Sequence, residues 1–201
     1  MRNIIYLSLI VATLLSACAK EELVLDPIQD EPLFKVDVNK NNESFLIEAG
    51  RNDFYLFTDY TLGQSADNFS PLSEFAKLED CSSDCTEAFN IEIHNVSVEE
   101  RENFFGENWE ASNFALKSNS DPLGNVSFSY TDAAGVTYSS NLGEQSNSAF
   151  FKVTNIQSYL KNEKNQDTKL MYAELDCELY DNSGNSISFS NGELVFAVAI
   201  L

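Results

Sequence analysis

Apolar and polar residues alternate with a period of two along much of the chain after residue 33. Phe34, Val36 and Val38 are interleaved with Lys35 and Asp37, and Phe89, Ile91 and Ile93 with Asn90, Glu92 and His94. Alternation of this kind sends one set of side chains to a core and the other to water, so each stretch predicts a half-buried strand. Phe45-Leu46-Ile47 predicts a second strand. Phe54-Tyr55-Leu56-Phe57-Thr58, with no polar interruption, predicts one covered on both sides. Residues 63–70 read as loop, followed by a short strand at Phe75-Ala76-Lys77-Leu78. Residues 99–113 break the alternation, mixing five glutamates with Phe104, Phe105 and Trp109.

The second half is more regular. Val126, Phe128 and Tyr130 run into Asp132-Ala133-Ala134-Gly135, and Val136 and Tyr138 return, which predicts a hairpin. A strand is expected within residues 150–160, then a polar hairpin loop over 161–169. Met171, Ala173, Leu175, Cys177 and Leu179 share one face of the next strand. Asp181-Asn182-Ser183-Gly184-Asn185 predicts a turn; Ile187 and Phe189 lead to a further turn at Asn191-Gly192, with a closing strand over 194–201. Almost no segment carries a 3.6-residue period. The expected fold is therefore all-β: one or two small antiparallel β-sandwich domains of immunoglobulin-like type. Ser118-Asn119-Ser120-Asp121-Pro122 has the composition of a linker, which suggests a division into residues 32–117 and 122–201, with a single larger sandwich as the alternative.

The N-terminus follows another pattern. Met1-Arg2-Asn3 precedes an apolar run over 4–15, too short to span a bilayer comfortably but suited to the h-region of a signal peptide. Leu15-Ser16-Ala17-Cys18 resembles the lipobox of bacterial lipoproteins. That resemblance implies a signal peptide over 1–17, cleavage before Cys18, and acylation of its sulfur and new amino group. More than one acyl chain makes a lasting anchor, at about 0.8 kcal/mol per buried methylene. Lys20-Glu21-Glu22 resembles the surface-export signal of Bacteroidetes lipoproteins, which implies an outer-membrane, cell-surface location. Residues 18–31, with Pro27 inside and Pro32 just beyond, read as a flexible tether. The body as a whole looks like the small lipid-anchored proteins of that group with immunoglobulin-like or PKD-like sandwich modules. Over residues 33–201 this likeness is architectural and brings no active residues with it.

Composition narrows the partners. Twelve Lys+Arg against 32 Asp+Glu give a net charge of −20, and loss of Arg2 with the signal peptide makes it −21. Such a surface repels phosphates, so nucleic acid is not an expected partner, and contact with the membrane is expected only through the N-terminal lipid. Fifteen Phe and eight Tyr beside one Trp favour strands.

Candidate chemistry is sparse. Cys81 and Cys85 suit a local disulfide in an oxidising compartment; a metal site lacks the further Cys or His that a tetrahedral zinc shell needs, and a redox pair lacks a flanking helix. Cys177, on an apolar face, reads as a buried inert thiol. His94 is the one histidine and falls on the polar face of its strand, so it reads as solvated. Any Ser-His-acid machinery would have to pass through it, and no Gly-x-Ser-x-Gly stands in the chain. Asp181 to Asn185 and Arg51-Asn52-Asp53 cluster oxygens without the spacing of a calcium loop, and both read first as turns. No metal or cofactor is expected. Phe104, Phe105 and Trp109 offer an aromatic platform for sugar rings, with a plug between domains as the alternative. The expectation is a non-catalytic binding or adhesion protein whose ligand is glycan or an envelope protein. The alternatives are a structural accessory subunit of an outer-membrane uptake or gliding assembly and, third, a carboxylate-based glycoside hydrolase.

Overall fold

The computed structural model describes residues 34–64, 66–77, 87–106, 113–114, 125–146 and 148–201. Cys18, Cys81, Cys85 and Trp109 lie outside them. The elements in chain order are β1 (Lys35–Lys40), β2 (Glu43–Glu48), β3 (Phe54–Leu62), β4 (Asn68–Lys77), β5 (Ala88–His94), β6 (Val96–Ser97), α1 (Arg101–Phe104), β7 (Asn113–Phe114), β8 (Asn125–Thr131), β9 (Thr137–Ser139), β10 (Phe150–Tyr159), β11 (Asp167–Tyr180) and β12 (Ser186–Ile200). The fold is all-β and antiparallel throughout, and no helix among the described residues is long and apolar enough to cross a membrane.

One sheet runs in the order β2-β1-β12-β11-β9-β8-β5-β4-β3, with β10 on β11, β7 on β10 and β6 on β4. The long strand β11 is its pivot. It pairs with β12 along its length on one side; on the other it pairs with β10 through Asp176, then with β9 through the single pair Tyr180–Ser139. That narrow junction lets the sheet fold back, so the arm β2-β1-β12-β11-β10 faces the arm β9-β8-β5-β4-β3. Aromatic rings meet in between: Phe89 lies 5.8 Å from Phe189, Phe128 5.2 Å from Phe151, and Phe45 5.3 Å from Tyr130, centroid to centroid. Each of these contacts joins the two arms, so the core is the space enclosed by one curved sheet.

The expected division near Asp121 does not separate two sheets. β5 hydrogen-bonds β8 across that point, β1 hydrogen-bonds β12, and residues Pro32–Leu201 form one compact unit. Residues 118–122 lie outside the described residues; which strands pair on either side decides whether such a stretch parts two domains.

Two further expectations change for identifiable reasons. β4 begins at Asn68 and not near Phe75, with Pro71 inside it. Proline has no N–H for a ladder, and Pro71 sits where the neighbour of β4 changes from β6, paired at Phe69, to β5, paired at Leu72. Asn95 makes that break with a left-handed φ of 57°, and its N–H is donated to the Ser70 hydroxyl at 3.1 Å. Similarly, Asn191-Gly192 is a bulge and not a turn. β12 passes straight through it, Asn191 has φ 51°, and the registers against β1 and β11 both slip there. Glycine is required beside it, because a Cβ at residue 192 would stand 2.8 Å from the Leu175 carbonyl oxygen and 3.0 Å from a Val38 methyl.

Three hairpins share one turn. The side-chain oxygens of Asp132, Asn162 and Asp181 each accept from the backbone N–H groups two and four residues on. The residue three places on is left-handed in every case: Gly135, Asn165 and Gly184. Aspartate or asparagine at the first place and glycine or asparagine at the fourth is the local chemistry that this turn demands. The oxygens clustered at Asp181 are thereby engaged with their own loop.

Candidate functional site

Outward-facing residues of β3, β4, β5 and β8 form rows across the strands, fixed by register. One row reads Phe57, Glu74, Asn90, Ser129; the next reads Asp59, Leu72, Glu92, Ser127. Leu72, Glu74, Asn90, Glu92, Ser127 and Ser129 line a groove of about 260 Å³. Its floor is polar because these strands alternate: the residues between them, among them Phe75, Phe89, Ile91 and Phe128, point into the core. Phe57 borders Glu74 on the adjacent strand and is 36% exposed, and Tyr55, one row over, is 47% exposed. β3 is therefore not covered on both sides as its composition suggests. Among the described residues β3 is the last strand of the sheet order, paired with β4.

Asn90, Glu92, Ser127 and Ser129 on the floor each have a partner. His94 Nε2 lies 2.7 Å from Ser127 Oγ, and His94 Nδ1 lies 3.4 Å from a carboxylate oxygen of Glu92. Asn90 donates to the Ser129 hydroxyl at 3.3 Å. His94 is buried, not solvated as its place on a polar face implies. Serine, histidine and glutamate thus stand in the sequence nucleophile, base and acid. In hydrolases of that kind the amide after the nucleophile helps to receive the oxyanion. Here the corresponding amide, that of Phe128, is donated to Ser140 Oγ at 3.0 Å. The arrangement fixes the orientation of Glu92 and Ser127 on the groove floor.

A smaller cleft of about 130 Å³ lies between Phe34, Leu56, Thr58, Tyr159 and the β10–β11 hairpin. That hairpin is clamped onto β3. Asn162 donates to the Thr58 carbonyl and hydroxyl, each at 3.1 Å, while Lys164 and Gln166 reach the Asp59 carboxylate at 2.5 and 3.1 Å. The hydrogen bond from Lys164, then that from Gln166, draws the Asp59 carboxyl down to about 2.

The residues singled out from sequence end elsewhere. Phe105 is 1% exposed, with its ring 6.4 Å from Phe69 and 4.8 Å from Phe104, which itself is half-buried against the core. The one-turn helix α1 tucks both rings inward, and Arg101 Nη1 anchors it by donating to the Val98 carbonyl at 2.6 Å. Phe105 therefore has no free face for a sugar and Phe104 packs beside it; Trp109, the third member of the predicted platform, lies outside the described residues. Cys177 is buried, and burial pushes its thiol far up. The outward groove was missed because its members come from three strands that are separate in the chain. The one local signal was the polar, outward set of each alternating strand. No protein-family model, no curated protein and no solved structure matches this chain.

Proposed function

We propose that this chain is a lipid-anchored protein of the bacterial outer-membrane surface that binds glycan through the outer face of β3, β4, β5 and β8 without turning it over. The observation that carries the binding reading is the groove between Glu74, Asn90, Glu92, Ser127 and Ser129 with exposed Phe57 and Tyr55 beside it. Sugars offer hydroxyls in fixed directions together with flat C–H faces. Carboxylates and an amide accept or donate to the former, and exposed aromatic rings cover the latter. The donation of the Phe128 amide to Ser140 speaks against acyl chemistry at Ser127. The anchoring reading rests on Leu15-Ser16-Ala17-Cys18 and the Lys20-Glu21-Glu22 that follows.

The test is a glycan array probed with the purified full chain in detergent, beside Phe57→Ala and Asn90→Ala. Binding that both variants weaken supports the reading; no binding by the parent chain, or equal signals from all three, overturns it. Labelled palmitate entering the parent chain but not Cys18→Ser tests the anchor.

A further inference from the structure

The outward positions of β3, β4, β5, β8 and β9 carry three carboxylates, Asp59, Glu74 and Glu92, and no Lys or Arg. Two of the three are already engaged: Asp59 by Lys164 and Gln166 from the β10–β11 hairpin, Glu92 by His94. Glu74 is different. It lines the groove, is half-buried, and has no hydrogen-bond or ionic partner among the described residues. Directly across the β3–β4 ladder stands Phe57 with its ring exposed. Opposed residues on neighbouring strands hold their Cβ atoms about 4.5–5.5 Å apart, so one small group can touch both.

We infer that the groove selects a glycan bearing a protonated amine, seated between the Glu74 carboxylate and the Phe57 ring. This rests on the glycan reading above and names the class of sugar. A carboxylate pairs with an ammonium through charge-assisted hydrogen bonds, and the negative face of an aromatic ring attracts the same cation. A uronate or sulfated sugar meets the reverse situation: carboxylates facing it, no Lys or Arg among the outward positions of these strands, Lys164 already paired with Asp59, and a chain at −20 around it. An N-acetylated sugar keeps its hydroxyls but carries a neutral acetamido group in place of the ammonium.

The experiment compares binding of the full chain to glucosamine oligomers, N-acetylglucosamine oligomers and galacturonate oligomers at about pH 6, where the amine is protonated. The expected order is glucosamine about tenfold tighter than N-acetylglucosamine, with galacturonate not bound. Glu74→Gln should abolish the preference, weakening glucosamine binding about tenfold more than N-acetylglucosamine binding. A second readout needs no variant. Raising the pH through the amine's own titration should erase the preference; the ionisable groups on this face are Asp59, Glu74, Glu92, His94 and Tyr55, with Lys164 reaching in to Asp59. Equal or tighter binding of the N-acetylated oligomers, or binding of galacturonate, overturns amine selection and leaves the glycan reading standing. Failure of all three oligomers overturns amine selection, while the glycan array decides the glycan reading.

Discussion

Ser127 Oγ lies 2.7 Å from His94 Nε2 across the β5–β8 ladder, and both side chains are buried. A buried imidazole nitrogen needs a partner, because leaving it bare forfeits its hydration without recompense. Ser127→Ala is expected to destabilise the protein by about 1–3 kcal/mol. Adding His94→Leu should cost less than the two single changes summed, since the second removes the group that the first leaves unpaired. Urea denaturation midpoints of the four proteins check this; strict additivity would show that the two groups do not interact.

The bulge at Asn191-Gly192 gives a second prediction. Gly192→Ala places a Cβ against the Leu175 carbonyl and Val38, both parts of a packed ladder that cannot withdraw. The expected loss is about 1–3 kcal/mol. Asn191→Gly, at a residue already left-handed, should change stability by less than about 0.5 kcal/mol. Thermal melts distinguish them, and equal effects would contradict the bulge.

Acid should loosen the β10–β11 hairpin before the core. Asp59 has a folded value of about 2, below its ordinary 3.8, so its contribution is complete above about pH 4 and disappears as pH falls toward 2. The pair is partly exposed, which keeps the effect small and salt-sensitive. In Lys164→Gln the pH dependence of the melting temperature between about pH 4 and 2 should flatten. An unchanged slope would mean that another carboxylate governs that window.

Cys177 should be silent in the folded protein. Its thiol is 2% exposed, and burial, then Asp176 and Glu178, raises its pKa. A thiol reagent at neutral pH should leave it unmodified until denaturant opens the sheet, with labelling tracking global unfolding. Rapid labelling under native conditions would show that β11 opens locally.

Strands with unbroken alternation were legible from the residues: β5, the β8–β9 hairpin and β11 lie where the period-two pattern places them. The start of β4 was obscured by Pro71, and β12 by Asn191-Gly192, because proline and Asn-Gly signal a chain break in isolation and a bulge or ladder gap in a sheet. Phe104 and Phe105 misled for another reason. Aromatic rings among glutamates look available for a ligand, yet beside a single helical turn Phe105 is buried and Phe104 half-buried.

The amino-acid sequence by itself determined which segments extend, where the chain turns, and which side chains of a strand face inward. Those are local matters: alternation acts over two residues, and left-handed turns over five. Only the tertiary structure decided that one sheet folds on itself, that β5 lies beside β8, and that Phe57 and Glu74 share a row with Asn90 and Ser129. Strand neighbours are chosen through backbone hydrogen bonds, which every residue but proline can make alike, so the choice rests on how the whole core packs.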